Sequence, residues 1–146
     1  MSDRETPLSG IEQLRHMLET DAQPPIGRTF GVSLVEVEEG RAVFEGVPDE
    51  RSLNPLGTIH GGYAATMLDS ACGIAVHSRL AAGQSYTTLE LKVAYHRAMT
   101  PGTGKVRAIG TVLSFGRRVA FAEARILDSQ DRLIASATST LLVFAQ

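Results

Sequence analysis

The residue types able to do chemistry are concentrated in one stretch, Asn54-Pro-Leu-Gly-Thr-Ile-His60-Gly61-Gly62-Tyr-Ala-Ala-Thr-Met-Leu-Asp69. His60-Gly61-Gly62 stands where an apolar run begins, and a helix starting there presents unpaired N–H groups and a partial positive charge. Glycine has no side chain, so a ligand oxygen can approach the backbone directly. Such donors suit the oxyanion of an acyl-transfer intermediate. Taken alone, the same residues read more simply as a glycine-rich turn into a helix. Asp69 shifts that balance, because a carboxylate inside an apolar helix is costly to bury unpaired. Thr66, Asp69, Ser70, Gly73 and His77 recur at three- and four-residue spacing and form one stripe of small or polar residues. An internal ion pair or hydrogen bond fixing the helix would also explain Asp69. A functional acid near a glycine-capped helix start explains both features together.

The elements that must position these residues follow from hydrophobic periodicity. Residues 61–80 read as a long helix with almost no polar surface, which makes it a buried helix. Before it, residues 29–37 and 41–47 read as strands joined by a Glu-Glu-Gly turn, and 48–58 as a polar loop. After it, residues 86–96, 104–113, 118–127 and 133–144 read as strands separated by turn signals. Successive strands with short connections are largely antiparallel. An antiparallel sheet curled around the buried helix, an α+β arrangement, is the expected fold, with its strand order left open. Ile11, Leu14, Met17 and Leu18 place a short amphipathic helix over residues 8–20, and Ala22-Gln23-Pro24-Pro25 reads as a linker. The expected division is therefore 1–25 for helix and linker and 26–146 for a single domain.

Asn-x-x-Gly-x-x-His-Gly-Gly, followed by an acid two turns after the glycines, resembles the hot-dog thioesterase superfamily. The branch it most resembles is that of phenylacetic-acid-degradation and human-type acyl-CoA thioesterases. Thr88-Leu-Glu-Leu-Lys-Val-Ala-Tyr95, Pro101-Gly102 and Gly116-Arg117-Arg118 extend the similarity from about Thr29 to the C-terminus. The helix at 8–20 lies outside it. The resemblance implies a hot-dog fold and hydrolysis of an acyl-CoA thioester, with Asp69 as general base or nucleophile. It also implies that the Gly61 N–H polarises the carbonyl and that Asn54 and His60 orient substrate or water. Thr88, or less well Thr87, would hold the attacking water.

Gly61 and Asp69 are eight residues apart, about 12 Å along one helix. Catalytic groups must come within about 3 Å of the reacting atoms. Two antiparallel copies can bring one helix start to the other's second turn, so self-association as a dimer or dimer of dimers is expected, in keeping with the family's shared sites.

The remaining features mostly exclude. The chain has 146 residues, 43% hydrophobic and 21% charged, which suits one folded domain and excludes disorder. A net charge of −2 gives no reason to expect nucleic acid or a membrane surface. The polar start and the acid inside the longest apolar stretch argue against a signal peptide or membrane span, making the cytoplasm the expected compartment. Cys72 stands alone and reads as a small core residue; His16, His77 and His96 share no metal-ligand spacing with His60. No metal or redox cofactor is expected. Arg97, Arg117 and Arg118, with Lys105 and Arg107, are candidates for the coenzyme A phosphates, against the simpler reading as solvated charges. Tyr63, Met67 and Phe115 are the expected shapers of the acyl pocket. Two rival functions remain: a hydratase or dehydratase using His60, and a non-catalytic acyl-CoA-binding module. The spacing of the motif and the presence of Asp69 favour hydrolysis over both.

Overall fold

Small side chains on one face of a sheet let a helix lie almost directly on the backbone beneath it. The computed structural model describes residues 5–146; residues 1–4, within the expected N-terminal unit and its polar start, lie outside the described part. The central helix, here α3, spans Gly61–His77. It buries Tyr63, Ala64, Met67, Leu68, Ala71, Cys72, Ala75 and Val76, as its composition requires. It ends three residues before the expected boundary. Leu80 turns back through its N–H to the His77 carbonyl, and the Ser78 hydroxyl donates to the Ala75 carbonyl at 2.6 Å.

Six antiparallel strands surround α3: β1 (Val32–Glu38), β2 (Arg41–Gly46), β3 (Gln84–Tyr95), β4 (Val106–Phe115), β5 (Val119–Leu127) and β6 (Leu133–Ala145). Their order is β1-β2-β4-β5-β6-β3. Every second residue of β5, Ala120, Ala122, Ala124 and Ile126, is buried. On β4, Gly110 is required, because a Cβ there would collide with the Ala71 carbonyl of α3. This is the hot-dog fold: a curled antiparallel sheet around one long helix.

The antiparallel expectation holds, but β3 pairs with β6 rather than with β4. The chain from residue 96 to 105 therefore crosses from a sheet edge to its interior instead of making a hairpin. β4 starts two residues later than expected because Gly104, at φ +79°, belongs to the turn.

The N-terminal part also differs. The expected helix is present as α1 (Gly10–Thr20), capped reciprocally by Ser9 and Glu12. Leu14 is fully buried in the same core as α3, and the Gly10 N–H donates to the Leu80 carbonyl at 2.9 Å. Residues 25–30, expected as linker and strand start, form a second helix, α2 (Pro25–Phe30). Proline at its first position presets φ, and Gly31 closes it at φ +67°, so the strand begins only at Val32. Among the described residues no helix is long and apolar enough to cross a membrane.

Candidate active site

The polar stripe on α3 faces a partly open cavity. Thr66, Asp69, Ser70 and Gly73 line a space of about 230 Å³, facing Thr88 and Tyr86 of β3 and Phe44 of β2. Asp69 is half-buried there, and its Oδ1 accepts the Thr88 hydroxyl at 3.0 Å. Along β3 the two threonines face opposite ways: Thr88 points inward, whereas Thr87 is exposed on the other face. Thr66 donates its hydroxyl to the Gly62 carbonyl at 2.8 Å. Burial, with the Asp69 charge adding to it, pushes the Tyr86 phenol up to about 12. Burial first, then Asp69 and Glu123, pushes the Cys72 thiol up to about 12. Both stay neutral at ordinary pH, and Cys72 sits in the core as expected. The last member of the stripe, His77, leaves the cavity. Its Nε2 meets the Gln13 amide oxygen at 2.8 Å, and its ring lies 5.6 Å from that of Tyr86.

The helix start faces a different cleft, of about 510 Å³, bordered by His60, Gly61, Tyr95, Arg97 and Met99. His60 caps α3 by accepting the Gly62 N–H on Nδ1 at 2.8 Å. The Gly61 N–H, by contrast, meets no acceptor among the described residues, as the first turn of a helix allows. Tyr95 donates its hydroxyl to the Gly61 carbonyl at 2.7 Å. A Cβ on Gly61 would come within 2.9 Å of that hydroxyl, so glycine lets Tyr95 stay close. Tyr95 was not singled out in the sequence. Its only trace there is its place at the end of the Thr88–Tyr95 segment.

Asn54 borders neither space. Its side-chain oxygen accepts the Leu56 and Thr58 N–H groups at 2.9 and 3.2 Å, and its amide donates to the Thr58 hydroxyl at 2.8 Å. It therefore organises the loop that delivers His60, which is held by its own N–H on the Ser52 carbonyl at 2.7 Å. Five of the sequence-derived residues thus fall into two groups, Asp69 with Thr88 and His60 with Gly61 and Arg97, and none of the described residues borders both spaces. Arg117 and Arg118 are exposed at the β4–β5 turn, apart from Arg97. That turn lies at the Thr88 end of β3, since Val119 pairs with Leu142 and Leu142 with Thr87.

The residues expected to shape the pocket lie elsewhere. Tyr63 and Met67 are core residues bordering neither space, and Phe115 packs beneath the Arg79 guanidinium at 5.5 Å. The apolar lining near Asp69 comes instead from Leu34, Phe44, Ile74 and Tyr86, with Met17 and Ile26 from the N-terminal helices. Among the described residues no group of three His, Cys, Asp or Glu side chains is arranged to hold a metal.

Residues 56–135 match the thioesterase superfamily. A 1,4-dihydroxy-2-naphthoyl-CoA hydrolase of Listeria monocytogenes is 27% identical over 115 residues, covering 79% of this chain and 92% of the relative. The proofreading thioesterase EntH of Cronobacter sakazakii is 31% identical over 84 residues, 58% of this chain and 60% of the relative. The PaaI protein from the phenylacetic acid degradation operon of E. coli shares the fold at a TM-score of 0.81 and 18% identity, covering 93% of this chain and 94% of that one. The chain belongs to the thioesterase superfamily. By class it is an acyl-CoA thioesterase.

Proposed function

We propose that the chain hydrolyses an aryl or medium-chain acyl-CoA at a site shared between two copies. Asp69 acts as general base or nucleophile, Thr88 holds the attacking water beside it, and the partner's Gly61 N–H receives the carbonyl oxygen. The observation that carries this reading is the pairing of Asp69 with Thr88 in one cavity, while the open Gly61 N–H faces another. Neither half suffices: an acid without an oxyanion donor activates water but leaves the developing charge unpaired.

β3 supplies the means of joining the halves. It is the sheet's outer strand, with one unpaired edge and with Leu89 and Tyr95 58% and 57% exposed. Thr88 contacts Asp69 near one end of this strand, and Tyr95 contacts Gly61 at the other. Antiparallel pairing of two β3 edges about a two-fold axis near Leu91 and Lys92 sets each Thr88 opposite the partner's Tyr95. The Arg117–Arg118 turn of one copy and Arg97 of the other then flank the same site, where they would meet coenzyme A phosphates. The phenylacetic-acid-degradation branch is the assignment we favour, on the motif from Asn54 to Asp69.

The geometry of His60 weighs against a hydratase. With Nδ1 accepting from Gly62, a neutral ring carries its proton on Nε2 and has no free lone pair to act as base. A binding module would have no use for an acid set in the cavity. The test is release of free thiol from acyl-CoA by purified Asp69→Asn protein. A fall in kcat of about a thousandfold is expected, with the fold retained. Near-normal turnover by folded Asp69→Asn would reject the assignment.

A further inference from the structure

The N-terminal segment is built into the wall of the cavity that holds Asp69. Met17 of α1, Gln23 and Pro24 of the connection, and Ile26 and Gly27 of α2 all border it. The segment is held at three points. Gly10 is bonded to Leu80, and Leu14 is buried in the core. Gln23 pairs with β1 as though it were a strand residue: its amide donates to the Leu34 carbonyl at 3.2 Å, and its oxygen accepts the Leu34 N–H at 3.0 Å. That clamp occupies part of the free edge of β1 and holds Pro24 and α2 over the cavity, whose floor includes the Leu34 side chain itself. Pro24 and Pro25 stiffen the crossing by fixing two successive φ angles.

Resting on the hydrolase reading above, the geometry points to Met17 and Ile26 as the residues that set acyl length, confining the substrate to a single ring or a chain of comparable bulk. An apolar cavity of about 150 Å³ holds one benzene ring, roughly 25 Å³ per carbon. At that density the space of about 230 Å³ takes roughly nine carbons. A phenylacetyl, hexanoyl or octanoyl group is enclosed at that volume, and a palmitoyl chain exceeds it. Ile26 is 52% exposed, so only part of its side chain closes the wall and substitutions there leave the core untouched. Met17 is unbranched and polarizable, which suits contact with a ring or a flexible chain alike.

The experiment measures kcat/KM for acetyl-, hexanoyl-, octanoyl-, phenylacetyl- and palmitoyl-CoA with the full chain, Ile26→Ala, Ile26→Trp and Gln23→Ala, after thermal melts show each variant folded. The wild-type profile is expected to peak between six and nine carbons, as estimated from the cavity at about 25 Å³ per carbon, and to fall at least about tenfold at palmitoyl. Ile26→Trp should move the peak to shorter acyl groups and Ile26→Ala to longer ones. Gln23→Ala should flatten the profile by releasing the clamp. A profile that all three variants leave in place, or a wild type as active on palmitoyl-CoA as on hexanoyl-CoA, overturns the wall and leaves hydrolysis standing. Absence of any acyl-CoA turnover by wild type overturns the hydrolase reading and this inference with it.

Discussion

Exchange of protomers between two inactive variants tests the shared site most directly. Gly61→Pro removes the open N–H where proline is best tolerated, at the first position of a helix. The preceding residue, His60, already has φ −56° and ψ 137°, an extended conformation compatible with a following proline. The new Cβ would press on the Tyr95 hydroxyl, so Gly61→Ala, which adds the same Cβ but keeps the N–H, is the control. Loss of one oxyanion donor costs about a hundredfold to a thousandfold in kcat, expected as the difference between the proline and alanine variants. Asp69→Asn should be impaired at least as much. When Gly61→Pro and Asp69→Asn chains are unfolded together in equal amounts and refolded, about half of randomly formed dimers are mixed. In each mixed dimer one site carries both substitutions and the other carries neither. Activity should return to about one quarter of wild type, at least about 25-fold above either parent. Thiol release measures the activity and native mass spectrometry counts the mixed dimers. If mixed dimers form and activity stays at parental levels, each site lies within one chain and the reasoning from two separate clefts is wrong.

Tyr95→Phe removes the hydroxyl that holds the Gly61 carbonyl. It should lower kcat about tenfold through misplacement of the adjacent donor while KM stays within about twofold, and an unchanged kcat would deny Tyr95 any positioning role. Tyr63 carries a buried hydroxyl with no hydrogen-bond partner among the described residues, so Tyr63→Phe should leave stability unchanged or raise it by about 1 kcal/mol; a clearly lower urea midpoint would show that the hydroxyl is paired in solution. Gly110→Ala should cost at least about 2 kcal/mol, because its methyl group meets the α3 backbone rather than a movable side chain, and urea unfolding at wild-type stability would contradict that contact.

The elements legible in the sequence are those whose burial is uniform along their length. α3 announces itself because nearly every side chain is apolar or small, and Asp69 stands out against that background. β5 and β6 alternate cleanly because one face of each meets α3. Strand order is not legible in the same way. Alternation in β3 reports which side faces inward, but nothing local says that its neighbour is β6. The helix α2 leaves no periodic signal, since none of its six residues is buried, and its paired prolines look like a linker. Asn54 joins the expected site through its place in the motif. Its side chain is consumed by its own loop, a common use of asparagine that spacing alone does not distinguish from substrate contact.

The pocket is not legible in the sequence because its lining is drawn from many elements at once. Large residues of α3 such as Tyr63 and Met67 look suited to shaping a cavity, yet they lie on the faces packed against the sheet. The cavity instead meets the stripe of small and polar residues, which leaves room beside the helix. Residues as remote as Met17 and Ile26 then close it, and their helices show no tie to Asp69 in the sequence.

Separation of the two functional groups on one helix has a physical rationale of its own. A carboxylate close to the first turn would be drawn to the partial positive charge there and would occupy the Gly61 N–H that the proposed mechanism reserves for the oxyanion. Two turns further on, Asp69 lies beyond the reach of the Gly61 N–H, and Thr88 satisfies one of its oxygens instead. The acid and the donor thus stay uncommitted to each other within a chain. Under the proposed sharing, a two-fold axis would give each site one of each, the acid held by α3 of one copy and the donor by α3 of the other. Water activation and oxyanion stabilisation would then depend on the interface between copies, and a chain that fails to associate would retain its fold and lose its activity.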